Sequence, residues 1–224
     1  PGETFSMNDT IRERTVENGY TVGTIIGPGG VFEEALGGGV SAATTAVWTG
    51  AFFAGMERTD TRAHSLYISR YQPGLEATVA WGVFDMKFTN SLSRAVLIKT
   101  KMTNSSMKVT FWGTKEFDSI EAEFGERVNV NKSKKIVKRN KKCVAQSGIE
   151  GFTITVNRVF TKDGQEVKRE PMTTIYRAGP NIVCKKKKKE PKPEVFDPSG
   201  VNLDDAVPTP ADAESIFAAN RPEL

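Results

Sequence analysis

The chain has 224 residues, of which 38% are hydrophobic, so it is long enough for one large domain or two small ones with a buried core. Over its first 190 residues this composition excludes a low-complexity disordered chain, and no apolar run reaches the roughly 18 residues that a membrane-spanning helix needs. The first six residues do not resemble a signal peptide, and we expect the protein to continue upstream of them.

The positive charge of the chain is concentrated in two runs, although the net charge is only +4. Residues 132–142 carry seven basic side chains, and residues 185–189 are five consecutive lysines. Two interpretations remain open: a solvated connector and a solvated tail, or a patch that binds an anionic polymer or lipid headgroups. Nucleic acid is a poorer partner, because no aromatic side chains are interleaved with these lysines.

The first quarter of the chain predicts two helices separated by glycine turns. A capping triplet at residues 8–10 predicts a short helix over residues 11–18. Residues 27–30 form a Gly-Pro-Gly-Gly turn. Residues 42–56 are apolar nearly all round and rich in small side chains, which predicts a buried helix with Ser41 as its N-cap.

Alternation of apolar and polar residues predicts strands in the rest of the chain. The predicted strands span residues 64–71, 77–83, 85–89, 95–102, 108–112, 152–160 and 166–176. Turns at residues 104–106 and at residues 163–164 predict two hairpins. From residue 190 the chain is rich in proline and acidic residues, and we expect a mobile tail with one short helix near residues 211–219.

Cys143 and Cys184 are the two cysteines of the chain, and each borders a basic run. They are either a disulfide pair or two unrelated thiols; we expect the disulfide, which implies an oxidising compartment. Closing a loop of about 40 residues contributes roughly 4 kcal/mol in the loop-entropy model. A metal site is not expected, since no further ligand stands near them and the one histidine, His64, is distant in sequence.

Three consecutive glycines precede Ser41 at the predicted helix start. Free backbone N–H groups at a helix N-terminus favour a bound carboxylate or a developing negative charge, and a nucleophile there would stand beside an oxyanion site. Alternatively, Ser41 only caps the helix and the glycines only make a tight turn. The run is not a phosphate-binding loop, because the Gly-Lys-Ser/Thr ending is missing.

His64 is a candidate general base, and it is equally compatible with a hydrogen-bonded structural role at the edge of a strand. Arg70 and Glu76 follow it closely and either orient the imidazole or contribute to ligand binding. Surface arginines and glutamates usually have neither role, so the sequence leaves open whether Arg70 and Glu76 belong to a site at all.

Several motifs together resemble the VanW domain family over about residues 1–113. The motifs are residues 1–6, Gly37-Gly38-Gly39-Val40-Ser41, Thr44-Thr45, Ala54-Gly55, His64-Ser65, Pro73-Gly74 and Glu76-Ala77-Thr78-Val79. The stretch from Cys143 to Cys184 resembles a short β module that follows this domain in many actinobacterial members. The resemblance implies a domain outside the membrane, in a family named for a vancomycin-resistance cluster.

Some members of that family resemble L,D-transpeptidases that work through a cysteine acyl-enzyme, with the motif Gly-Gly-Gly-Val-Cys-Gln. In this chain Ser41 stands at the cysteine position and Ala42 at the glutamine position. A thiol at a helix N-terminus ionises readily, whereas a serine hydroxyl needs a positioned base. Either His64 supplies that base, or the domain binds without catalysing acyl transfer.

Residues and resemblance together predict an α+β fold, with a mostly antiparallel sheet packed on a buried helix and a small disulfide-linked β module behind it. The predicted segments are a VanW-like domain at 1–125, a basic connector at 126–142, the β module at 143–184 and a Lys-rich, then acidic and Pro-rich tail at 185–224. We expect a cleft with Ser41 and His64 as candidate catalytic residues and with Gly37, Gly38, Gly39, Arg70 and Glu76 as ligand-binding residues.

Three functions are compatible with this prediction, all outside the cytoplasm. The first is a non-catalytic module, a pseudoenzyme, that binds peptidoglycan or an anionic wall polymer. The second is an L,D-transpeptidase-like acyltransferase that uses Ser41 with His64 as base. The third is a structural partner in an envelope complex. We expect no cofactor, and we expect a membrane anchor outside this sequence.

Overall fold

The computed structural model describes residues 1–141 and 143–186, which fold into short strands and two α-helices. In chain order the elements are β1 (Thr4–Ser6), α1 (Met7–Ile11), β2 (Val22–Ile26), a 3₁₀ turn (Pro28–Gly30), β3 (Phe32–Leu36), α2 (Val40–Phe53), β4 (Glu57–Asp60), β5 (Lys87–Thr89), β6 (Leu97–Met102), β7 (Met107–Trp112), β8 (Ser119–Phe124), β9 (Val128–Asn131), β10 (Lys135–Lys138), β11 (Gly151–Lys162), β12 (Gln165–Tyr176) and β13 (Asn181–Cys184). The class is therefore roughly α+β, with much strand and little helix.

The strands form several small sheets rather than one continuous sheet. One contains β1, β5 and β4, one contains β12, β11 and β8 with β9 also paired to β11, and β2–β3 and β6–β7 are separate antiparallel pairs. The pair β10–β13 is parallel.

The main core is built around α2, because this helix carries large apolar side chains. Trp48 and Phe52 are 1% and 0% exposed, and they share a cluster with Phe88 of β5, Val156 of β11 and Met172 of β12. Residues 1–186 form one compact unit. The predicted segment boundaries at residues 125, 142 and 184 stay a prediction, although β11 and β12 contribute to the same core as α2.

Both predicted hairpins are confirmed. β6 and β7 pair antiparallel from Leu97 opposite Trp112 to Met102 opposite Met107. β11 and β12 pair over almost their whole length around the turn at Asp163 and Gly164, whose φ angles of 51° and 73° suit a tight hairpin turn. These elements were predictable because alternation and turn residues are local signals.

The predicted strand at 64–71 is wrong, because this segment is a loop. His64 and Leu66 are buried at alternate positions, which mimics a strand pattern, but in the described residues their segment belongs to no sheet. The predicted strand at 77–83 is also absent, and only an isolated bridge joins Ala80 to Phe84. Alternate burial alone therefore did not distinguish a packed loop from a strand.

The predicted helix over residues 11–18 is wrong, because residues 12–18 are not helical, and the predicted start of the second helix is two residues late. The first helix is Met7–Ile11, and Ser6 caps it by accepting a hydrogen bond from Asp9 N. The second begins at Val40 with Gly39 as N-cap at φ 88°, so Ser41 is the second helical residue instead of the cap. Glycine adopts this left-handed conformation without the steric cost that a side chain would add.

The predicted disulfide is confirmed, since Cys143 and Cys184 are bonded across a separation of 41 residues. Of the predicted tail at 185–224, residues 187–224 and their expected short helix lie outside the described residues. Within the described part of the chain, no helix has the length and apolarity needed to cross a membrane.

Candidate functional site

A cleft of about 1350 Å³ brings the glycine turn together with the loop that follows β4. All seven residues expected in the site line it: Gly37, Gly38, Gly39, Ser41, His64, Arg70 and Glu76. The cleft is large enough for a ligand of drug size or more. Its walls are β2, β3, the start of α2, the loop 61–81 and the end of β12. The chemical roles of the seven residues stay predictions.

The glycine turn is held by close contact with β2. A Cβ atom on Gly38 would lie 1.9 Å from the carbonyl carbon of Gly23, so no side chain fits there. Most N–H groups of the turn are already used: Gly37 donates to Thr21 O, Gly38 to Ala35 O and Val40 to Gly37 O. The turn is therefore a packed wall of the cleft, and it offers fewer free donors than the sequence led us to expect.

The hydroxyl of Ser41 contacts the hydroxyl of a threonine. Its hydroxyl lies 3.1 Å from Thr78 Oγ1, and within the described residues no hydrogen bond joins it to His64. The next turn of the helix is fixed in the same way, because Thr45 Oγ1 accepts a hydrogen bond from Ala77 N. The two hydroxyls tie α2 to residues 77 and 78, and neither contact activates Ser41 as a nucleophile.

His64 is buried beside the cleft, with 8% of its surface exposed. Its ring stacks on Tyr71 with centroids 5.4 Å apart, and burial lowers the pKa of His64 to about 4. Its Nδ1 lies 4.0 Å from Glu76 Oε1, beyond hydrogen-bond distance, and has no partner in the described residues. The imidazole is therefore neutral at pH 7 and sits against the site wall.

Glu76 is also buried, and Tyr176 at the end of β12 holds it. Tyr176 Oη donates a 2.6 Å hydrogen bond to Glu76 Oε1 and accepts a 2.7 Å hydrogen bond from Gly74 N. Burial raises the pKa of Glu76, an effect that the Tyr176 hydrogen bond partly offsets, and burial together with Glu76 raises the pKa of Tyr176. Tyr176 was missed in the sequence, where it looked like any apolar strand residue.

Five arginines line the cleft, and of these only Arg70 was predicted from the sequence. They are Arg14, Arg58, Arg62, Arg70 and Arg177. Among the described lining residues Glu76 is the one acidic side chain, and it is 3% exposed. Apart from half-buried Arg14, the arginines are exposed and form no ion pair with a carboxylate of the described residues. The cleft is therefore positively charged and suited to an anionic ligand.

The described parts of the two basic runs, residues 132–141 and 185–186, lie next to each other, as the disulfide predicts. Lys138 of β10 stands opposite Cys184 of β13, and Lys185 N donates to Lys138 O over 2.9 Å. Gln146 connects this region to the cleft wall, because its Oε1 accepts from Phe32 N and its Nε2 donates to Gly30 O. The basic side chains of residues 132–141 and 185–186 form a lysine surface, which is thus fixed to the β2–β3 side of the cleft.

A resident metal ion finds no ligand set in the described residues. No group of three or more His, Cys, Asp or Glu side chains there could hold one, and both cysteines are in the disulfide.

Comparison with known families identifies the family of the chain. The family model described as VanW like protein matches residues 1–112, which is half of the sequence. The chain belongs to the VanW-like protein family. The curated relative "Uncharacterized protein YoaR" of Bacillus subtilis (strain 168) is 31% identical over 119 residues, which cover 53% of this chain and 39% of the relative. No solved structure matches significantly.

The cleft of this VanW-family chain extends beyond the matched segment. The match ends at the last residue of β7, whereas the cleft is also lined by Met172 to Ile175 of β12 and by Arg177, which follows that strand. Tyr176, which holds Glu76, comes from the same strand. The hairpin β11–β12 therefore completes a site whose other walls come from the VanW-like segment.

Proposed function

We propose that this VanW-family chain is an extracytoplasmic cell-envelope module that binds anionic wall components, such as the carboxylates of peptidoglycan stem peptides, without catalysing their reaction. The arginine cleft carries this proposal. Within residues 1–141 and 143–186, four exposed guanidinium groups without carboxylate partners face a space in which Glu76 is the one lining acid. Arginine binds carboxylate and phosphate groups in a bidentate manner, so the cleft matches such ligands in charge and geometry.

Three observations support binding rather than acyl transfer. The Ser41 hydroxyl contacts Thr78, and the imidazole of His64 is nine-tenths buried. A base with a pKa of about 4 is a weak proton acceptor for a serine hydroxyl at neutral pH. Most N–H groups of the glycine turn already donate to carbonyl groups, so they are not free for an oxyanion.

The disulfide supports a location outside the cytoplasm, because such bonds persist mainly in oxidising compartments. The lysine surface around β10 and β13 would add salt-sensitive contact with teichoic acid or phospholipid charge. A purely structural role in an envelope complex is the remaining alternative, and it gives no reason for an arginine-lined cleft.

The test is retention of the full chain on purified sacculi at about 0.15 M salt, where the Debye length is about 8 Å. The double variant Arg62→Gln, Arg70→Gln removes two cleft charges, and Arg94→Gln, Lys115→Gln removes two exposed charges outside the cleft. We expect the cleft variant to lose most of the retention and the control variant to keep it. Equal retention of both variants, or no retention of the unmodified chain, contradicts the proposal.

An acyltransferase acting through Ser41, with His64 as base, is the second candidate, because both residues line one cleft. Incubation with a β-lactam or an acyl probe, followed by intact-mass measurement, separates the two functions. The binding proposal expects no adduct and unchanged sacculus retention in Ser41→Ala. A covalent adduct that disappears in Ser41→Ala would establish the enzyme instead.

A further inference from the structure

The cleft runs along the edge of a strand. Four consecutive residues of β12, from Met172 to Ile175, line it. Side chains alternate between the two faces of a strand, and here Met172 is 6% exposed whereas Ile175 is 70% exposed. A cleft lying over one face would be lined by every second residue, so a continuous run means that the cleft follows the edge itself.

That edge of β12 is not paired in the described residues. β12 is the outermost strand of its sheet, next to β11. On β11, Thr155 O accepts a hydrogen bond from Gly125 N, on the side of β8. In an antiparallel sheet the odd-numbered residues of β11 then face β8 and the even-numbered residues face β12.

The register extends this rule to β12. Val156 stands opposite Met172, and Ile154 stands opposite Thr174. The backbone groups at these even positions therefore form the hydrogen bonds between β11 and β12. The backbone groups of Pro171, Thr173 and Ile175 consequently point away from β11, toward the cleft.

Two independent features agree with this orientation. Arg177 N, at the next odd position, donates to Ser65 O across 2.8 Å, away from β11. Pro171 has no N–H to donate, and proline within a sheet is confined to positions where that group would face outward.

We propose that the ligand of the cleft is an acidic peptide bound in an extended conformation. Its backbone pairs with the free backbone groups of Thr173 and Ile175, and its carboxylates contact Arg70 and Arg177. This inference rests on the proposed function and specifies its ligand class. Strand addition to an exposed edge is a general mode of peptide recognition, in which main-chain hydrogen bonds provide affinity.

The spacing of the edge groups selects a peptide over other anions. Outward donors and acceptors recur at every second residue, about 6.6 Å apart, and an extended backbone has the same repeat. A lipid headgroup or a phosphate polymer could pair with the arginines, but it has no regular series of hydrogen-bond donors and acceptors to pair with the backbone of β12. The positive charge of the cleft favours an acidic peptide over a basic one.

The test uses the full chain and a fluorescent, N-acetylated hexapeptide of alternating glutamate and threonine, titrated by fluorescence polarisation. A second hexapeptide has the same sequence and charge but carries an N-methyl group on every backbone amide, so neither of its edges can donate a hydrogen bond to the strand. We expect saturable binding of the first peptide and affinity weaker by about tenfold or more for the second, as expected for the loss of main-chain hydrogen bonds. Because this comparison uses the unmodified chain, it does not depend on the folding of any variant.

Ile175→Pro removes the outward N–H without removing a ladder bond, and Ile175→Ala is the matched control that keeps it. We expect about tenfold weaker peptide binding for the proline variant and less than threefold for the alanine variant, with equal melting temperatures. Equal affinity of the two peptides, equal affinity of the two variants, or no binding of either peptide overturns the inference. If sacculus retention still depends on Arg62 and Arg70 in that case, the proposed function stands and only the peptide class is wrong.

Discussion

Tyr176 Oη lies 2.6 Å from Glu76 Oε1, which joins the last residue of β12 to the loop that carries the one acidic residue lining the described cleft. The same hydroxyl accepts from Gly74 N, so it serves as donor and acceptor at once. The contact links residues 100 positions apart in sequence and holds the strand that forms one cleft wall against the loop that forms another.

Tyr176→Phe should destabilise the chain by about 1–3 kcal/mol, because Glu76 and Gly74 N would both remain buried without this partner. Urea unfolding at pH 7 measures the change. Tyr67→Phe is the control, since Tyr67 packs its ring against Tyr176 and Phe152 in the same aromatic cluster. A similar loss of stability in both variants would contradict the prediction, because it would not depend on the hydrogen bonds that only the Tyr176 hydroxyl makes with Glu76 and Gly74.

The stability of the chain should fall as the pH drops from about 6.5 to 4. The pKa of His64 is lowered to about 4 by burial, so between these values the unfolded chain binds a proton that the folded chain does not. The linkage amounts to about 3 kcal/mol at most. Glu76, whose pKa is raised by burial, acts in the opposite direction, because its contribution declines as the pH rises.

Comparison with His64→Gln isolates the imidazole from Glu76. Unfolding free energies measured from pH 4 to pH 7 should show the unmodified chain losing stability relative to the variant as the pH falls. Parallel curves would mean that His64 is accessible to protons in the folded chain and that its burial was wrongly assigned.

Gly38→Ala should be far more damaging than Gly39→Ala. An added Cβ on Gly38 would overlap the backbone of Gly23, whereas Gly39 has open space and only a positive φ of 88°. We expect a loss of about 3 kcal/mol or more at Gly38, from forced separation of β2 and the turn, and about 1 kcal/mol at Gly39. Thermal unfolding of the two variants provides the measurement, and equal melting temperatures would remove the close contact as the reason for the glycine.

The sequence was sufficient where the signal was local. The hairpins β6–β7 and β11–β12 follow from alternation beside turn residues, and the glycine run marked the start of α2 to within two residues. With two cysteines in the chain, one pairing was available, and it is formed. The same local logic failed at residues 64–71, since alternate burial of a loop has the pattern of a strand.

The amino-acid sequence by itself indicated the family, the one possible disulfide pairing and the glycine turn at a helix start, because each depends on residue identity and order along the chain. Only the tertiary structure decided that arginines as distant as Arg14 and Arg177 share one cleft, that Ser41 contacts Thr78, and that the free edge of β12 faces this space. Such relationships arise from packing between segments far apart in the chain, and no local pattern of charge or hydrophobicity encodes which surfaces will meet.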